Sequence, residues 1–302
     1  MNWIRLAIVL FAIALILLEL ILRFRFGFGD PLLYIGDPEI GYLLAPNQSV
    51  KRFGNRIEIN KYSMRSPNFA PEPEIGTQRI LMLGDSIING GWWTDQNDIV
   101  SEMIQRSNDR LEVLNASANS WSPRNELAYL KRFGTFHAEV IVLVINTDDL
   151  FGTQPTSLGV GRDRSYPDRK PVSAIFEVVD RYLLPARELP AELKKIHAEG
   201  GDRVGIILDA IRQIRDIANQ NQAKFVLAMT PLLREITSGP RDYEITARQR
   251  LTEMTQAENI EYIDFLPVFK AESADPSTLY RDHIHLNVQG NQILSRWIQH
   301  SI

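Results

Sequence analysis

The fold follows from Arg79-Ile80-Leu81-Met82-Leu83-Gly84-Asp85-Ser86. An apolar run that stops on a glycine turn has the form of a buried strand, and its serine stands where open α/β sheets place their ligands, at the carboxyl edge. A serine hydroxyl is a poor nucleophile until a base takes its proton, and that base needs a third group to orient it. Far downstream, Asp282-His283-Ile284-His285-Leu286-Asn287 offers both from one short loop. Ser86, His285 and Asp282 are therefore a candidate hydrolytic triad. Taken singly, Gly-Asp-Ser suits any turn and Asp-x-x-His suits a helix cap. Their order favours chemistry, since one ends the first strong strand and the other precedes the last helix.

Working outward, strand-like and helical runs alternate. Ile80 to Leu83, Leu111 to Leu114, Val140 to Ile145, Lys224 to Met229 and Ile260 to Phe265 are expected strands. The run Val140 to Ile145 is apolar throughout and mostly β-branched, as in strands covered on both faces. Helices are expected at Ile99 to Ser107, Asn125 to Phe133, Glu192 to His197, Glu244 to Gln256 and Asn287 to Gln299. Another runs from an Asp202 cap to about Gln220, with Ile206, Leu208, Ile211, Ile214 and Ile217 as its apolar stripe. Residues 151–173 lack periodicity and read as a long loop of the functional or mobile kind. Such alternation implies an α/β fold, a three-layer α/β/α sandwich around a mainly parallel, flavodoxin-like sheet.

Leu6 to Leu18 is an unbroken apolar run, extended past Glu19 by Leu20-Ile21-Leu22. It suits a membrane anchor or the apolar region of a signal peptide. The sequence that follows, Glu19 to Arg25, lacks the small residues of a cleavage site and favours an uncleaved anchor. The expected organisation is an anchor at residues 1–25, an irregular collar at 26–76 with short strands near Ser49–Lys51 and Arg56–Asn60, and a catalytic domain at 77–302. Across 302 residues the net charge is −4, which argues against a nucleic-acid partner. The absence of cysteine fits a reducing compartment or an envelope protein without disulfides.

The chain resembles the SGNH (GDSL-type) hydrolase superfamily over roughly residues 77 to 300. Ile80 to Ser86 is similar to the family's first block and Asp282 to His285 to its last. Asn115-Ala116-Ser117-Ala118-Asn119-Ser120 resembles the second block, with Ser120 in place of an oxyanion-hole glycine. Val142 to Asp149 resembles the third, with Asp148 where the family has an oxyanion-hole asparagine. The resemblance implies Ser86 as nucleophile and an oxyanion hole formed by Ser86, Ser120 and position 148. An ionised Asp148 would repel the charge it should stabilise. A protonated one, raised by burial or by a neighbour such as Asp149, would still donate; Asn146 or Asn119 are the alternative donors. The head of the chain, Leu17 to Arg23 followed by Asp37-Pro38-Glu39-Ile40-Gly41-Tyr42, looks like bacterial membrane-anchored members. That resemblance implies a single pass through the inner membrane, a periplasmic or extracytoplasmic catalytic domain, and an ester-bearing carbohydrate or small acyl substrate.

The same residues serve an esterase or an O-acyltransferase, and the departures at Ser120 and Asp148 also admit a catalytically weak scaffold that binds polysaccharide-assembly partners at the membrane. Trp92, Trp93 and Trp121 are either packing residues or stacking platforms for a sugar ring, with Asn119 beside them. His283 and His285 with Asp282 could hold a metal in principle, but residues two apart in an extended segment face opposite ways, so no metal and no cofactor is expected. His137 reads as a surface residue.

Overall fold

The computed structural model describes residues 3–302. Five strands, β5 (Gln78–Gly84), β6 (Leu111–Ser117), β7 (Val140–Asn146), β8 (Lys224–Thr230) and β9 (Glu261–Asp264), form one sheet in the order β6-β5-β7-β8-β9. Every pairing within it is parallel. The chain reverses its direction of growth between β5 and β7, and at such a switch point the carboxyl edge opens a crevice.

The β-branched run in β7 explains the layers. Ile141, Leu143 and Ile145 point to one face with Leu81, Leu83, Leu227 and Met229, while Val140, Val142 and Val144 point to the other with Ile80, Met82 and Val226. The first face is covered by α4 (Pro123–Phe133), α7 (Arg203–Gln220) and α9 (Asp242–Ala257). The second is covered by α2 (Ser86–Asn89), α3 (Val100–Gln105), α10 (Phe265–Glu272) and α11 (Val288–Gln299). This is the expected three-layer sandwich.

Two local expectations need correction. In α7 it is Ile207 that is buried beside Ile211, Ile214 and Ala218, whereas Ile206 faces solvent. The apolar stripe therefore begins one residue later, on the i, i+4, i+7, i+11 row that meets the sheet. Phe265 does not end a strand: Asp264 accepts the Leu266 N–H at 2.9 Å and caps α10. The stretch 174–183, for which the sequence analysis names no element, is helical, as α5 (Ala174–Val178) followed by a π-type turn at Val179–Leu183. The remaining short helices are α6 (Ala191–His197) and α8 (Leu233–Thr237).

Ahead of the sheet, α1 (Trp3–Ile21) continues through a π-type turn at Leu22–Phe26. Trp3–Phe26 is the one helix among the described residues long and apolar enough to cross a membrane, and none of it is buried. Two hairpins follow, β1 (Tyr34–Asp37) with β2 (Gly41–Leu44) and β3 (Gln48–Arg52) with β4 (Asn55–Ile59). The second lies where short strands were expected; the first was not foreseen. Both are part of the main core through Tyr34, Leu44, Val50 and Ile57.

Candidate active site

At the carboxyl end of β5, Gly84 admits no side chain: a Cβ there would lie 2.9 Å from Val144 O and from Ile88 Cγ1. That close approach lets the chain turn directly into α2. Asp85 caps the helix by accepting the Ile87 N–H at 2.8 Å, and Ser86 becomes its first residue. From the opposite end of the chain, a loop closed by the Tyr280–Leu286 bridge and by Arg281 N–H donating to His285 O at 2.9 Å brings in the other two groups. His285 Nε2 lies 3.0 Å from Ser86 Oγ, and His285 Nδ1 lies 2.9 Å from Asp282 Oδ2. The three residues named from sequence are thus within hydrogen-bond reach in the order a relay needs.

The acid is firmly held. Desolvation alone would raise its pKa, but the His285 N–H, the His285 ring and the Ile284 N–H all donate to Asp282 and keep it below the ordinary carboxylate range. Ionised and oriented, it can fix the proton on Nδ1 and leave Nε2 free to accept. Trp93 packs on the imidazole with ring centroids 4.3 Å apart.

Ser86 Oγ has a second neighbour, Asp85 Oδ2 at 3.2 Å. Asp85 is buried, and burial pushes its pKa up. It shares the amide of Asn146 with Asp149: Asn146 Nδ2 donates to Asp85 at 2.8 Å and to Asp149 at 3.0 Å. Burial, then the nearness of Asp85 and Glu126, raises Asp149 well above the usual range. With both amide hydrogens engaged and its side chain buried, Asn146 is not an available oxyanion donor, which corrects one of the two alternatives.

Ser120, Asp148, Ser86 and His285 line one cleft of about 560 Å³. Ser120 adopts φ +61°, the left-handed backbone that glycine takes without cost. Asp148 is exposed to the cleft, with its N–H donating to Asn146 Oδ1 at 2.7 Å. Partial desolvation raises its pKa, followed by the charges of Glu244 and Glu235. Asp148 in turn is among the charges that raise Asp149. Asn119, the other alternative donor, adjoins Ser86 and Ser120 in a connected cavity and has a buried Oδ1 with no partner.

The tryptophans divide. Trp121 is 1% exposed, donates its indole N–H to Tyr42 O at 3.0 Å and packs on Tyr129, so it offers no free face to a sugar. Trp92 is exposed, and Arg281 lies over both it and Trp93 at 5.1 and 5.0 Å. His283 is exposed, 3.9 Å from Asp282, and no cluster of metal-ligating side chains occurs among the described residues. His137 is exposed beside Glu72 at 3.3 Å.

Three contributing residues escaped the sequence reading. Arg65, fully buried in the collar, donates to the carbonyls of Asn89, Gly91 and Thr94 and so braces the turn that carries Trp92 and Trp93. Burial pushes its pKa down to about 9. Nothing in Met64-Arg65-Ser66 marks that role. Tyr166 and Asp163, from the long loop after β7, form part of the cleft wall. The absence of periodicity in that loop was the available signal.

Comparison with known proteins gives the family of the chain. Residues 82–293 match the model of the GDSL-like lipase/acylhydrolase family, and the chain belongs to that family of acyl-ester hydrolases. Similar solved structures include a lipolytic G-D-S-L family protein from Veillonella parvula, at 13% identity, 73% coverage of this chain, 95% of that one and TM-score 0.45. The acetyl xylan esterase AlAXEase gives 13%, 74%, 99% and 0.47. A catalytic mutant of an acetylxylan esterase from Geobacillus stearothermophilus gives 14%, 75%, 95% and 0.46. No curated protein matches the chain.

Proposed function

We propose that this protein is a membrane-anchored serine esterase that removes acetyl or acyl groups from an envelope or secreted polysaccharide. The observation that carries the reading is the contact of His285 Nε2 with Ser86 Oγ at 3.0 Å, backed by Asp282 at 2.9 Å on Nδ1. His285 takes the Ser86 proton as Oγ attacks the ester carbonyl, and Asp282 stabilises the imidazolium that forms. The N–H groups of Ser86 and Ser120, with a protonated Asp148, hold the oxyanion. Collapse of the tetrahedral intermediate breaks the bond to the alkoxy oxygen, which leaves with the proton returned by His285. Water, deprotonated by the same imidazole, then releases the acid and restores Ser86. A sugar hydroxyl in place of that water makes the protein an O-acyltransferase without any change of residues.

The cleft supports a carbohydrate substrate because polar Gln154, Asp163 and Tyr166 share its wall. Retention of the anchor is supported by Glu19, whose carboxylate accepts the N–H groups of Ala174 and Ile175 in the folded domain. The proposed location is the bacterial inner membrane with the domain on its outer side. Asp148 favours a second reading, a weakly active protein that serves as a scaffold for polysaccharide assembly.

A fluorophosphonate probe tests the enzyme. Labelling of the folded wild type that vanishes in Ser86→Ala is the expected result. No labelling of folded protein across pH would overturn the esterase reading and leave the scaffold.

A further inference from the structure

The end of the apolar helix is tied to the domain, and beside that tie lies a group of large apolar side chains with nothing over them. Glu19 receives Ala174 N–H at 2.9 Å and Ile175 N–H at 3.0 Å, and also pairs with Arg23. Gly29 is pressed so closely between Arg23 and Ala174 that a Cβ there would lie 2.9 Å from the guanidinium. Phe28 meets the ring of Tyr182 edge-on at 6.1 Å. Around these contacts Phe24 is 81% exposed, Val172 87%, Tyr182 62% and Leu183 73%, with Phe176 and Leu184 half exposed.

We infer that the segment Val172–Leu184, together with Phe24, is a second membrane contact that lies in the interfacial layer of the bilayer and fixes the domain's orientation on it. The inference rests on the reading of Trp3–Phe26 as a retained anchor. Helical rise places the segment: from Trp3 to Glu19 the axis advances about 24 Å at 1.5 Å per residue, against an apolar bilayer core of about 30 Å. With Trp3 at the far boundary, α5 docks near the other boundary, where aromatic and apolar side chains settle beside headgroups. The Glu19 carboxylate at that depth already has two backbone donors and a guanidinium, so it needs no water.

The attachment is apolar rather than electrostatic. Lys170, Arg181 and Arg187 are already paired with Asp30, Glu177 and Asp180, and the exposed Arg25 and Arg169 add only two charges beside the six exposed or half-exposed apolar side chains. Binding should therefore need no anionic lipid and should survive high salt.

The chain has no cysteine, so single labels are simple to place. Full-length Phe176→Cys, Leu183→Cys, Leu10→Cys and Ile75→Cys, each carrying the NBD fluorophore, would be reconstituted in phosphatidylcholine vesicles containing a lipid with a shallow nitroxide quencher. Circular dichroism checks that each is folded. Ile75 is a fully exposed apolar residue at the amino edge of the sheet and serves as the control. The expected result is blue-shifted, quenched emission at positions 176 and 183, unchanged by high salt, with water-like emission at 75. A blue shift at 10 with water-like emission at 176 and 183 would overturn the proposal and leave the anchor standing. Water-like emission at 10 as well would overturn both. Blue-shifted but unquenched emission at 176 and 183 would mean that a second copy of the chain, not lipid, covers the segment, and would also overturn it.

Discussion

Asp148→Asn is the substitution that bears most directly on the chemistry of the cleft. Asp148 is exposed to the same cleft as Ser86 and Ser120, and its pKa is raised by partial desolvation and by Glu244 and Glu235. Only its protonated form can donate to an oxyanion; the ionised form repels it. A single oxyanion donor is worth about 2.7–4 kcal/mol where water is excluded. Here the side chain is open to solvent, so the lower range for hydrogen bonds to charged groups, about 1.5–3 kcal/mol, is the better guide. That corresponds to a gain in kcat of about tenfold to a hundredfold for the amide, which donates at every pH. Because the interaction exists only in the transition state, KM should hardly move. Hydrolysis of p-nitrophenyl acetate as a function of pH is the assay. The ratio of variant to wild type should be smallest in acid, where Asp148 is protonated, and rise as pH increases through its raised pKa. A variant slower than wild type at all pH values, with fluorophosphonate labelling intact, would rule out this role and give the carboxylate a positive one.

Ser120→Gly should relieve a left-handed serine and stabilise the fold by about 0.5–1 kcal/mol in thermal denaturation, with esterase activity kept because the donor is main chain. Lost activity would give the hydroxyl a part. Trp121→Phe removes the indole donor from Tyr42 O and should cost about 1–3 kcal/mol of stability, read in urea unfolding, while KM for glycan esters stays near wild type. Glu126 is buried without a hydrogen-bond partner, and burial raises its pKa well above the ordinary 4.5. The folded state therefore holds a proton that the unfolded state releases, and stability falls by about 1.4 kcal/mol per pH unit from the unfolded pKa up to the folded one. Glu126→Gln should be more stable than wild type at neutral pH and lose that advantage near pH 4; an advantage independent of pH would contradict it.

What could be read from the chain followed from periodicity and from the chemistry of single residues. Val140 to Ile145 announced a strand covered on both faces because no polar residue interrupts it, and Asp202 announced a helix start because its carboxylate suits free N–H groups. Where the outcome depended on tertiary contacts, the reading failed or stopped. Ile206 and Ile207 are equally apolar, and only the sheet's position selects the second. Phe265 has the side chain of a strand residue but opens a helix because Asp264 caps it. Trp121 has the composition of a sugar platform, yet Tyr42, distant in sequence, supplies an acceptor that draws it inward. Arg65 is one arginine among many until three carbonyls of a remote turn converge on it. Asn146 looked free to rotate toward an oxyanion; the two buried carboxylates that hold it come from different strand ends.

The loop from Leu279 to Asn287 has a mechanical consequence. Asp282 and His285 are bound to each other through side chain and backbone within a single turn, so their mutual geometry is insulated from movements elsewhere. The one separation that spans distant parts of the chain is the gap to Ser86. Any breathing of this corner of the molecule therefore converges on a single coordinate, and a change in that coordinate would open or close proton transfer without disturbing the charge pair behind it.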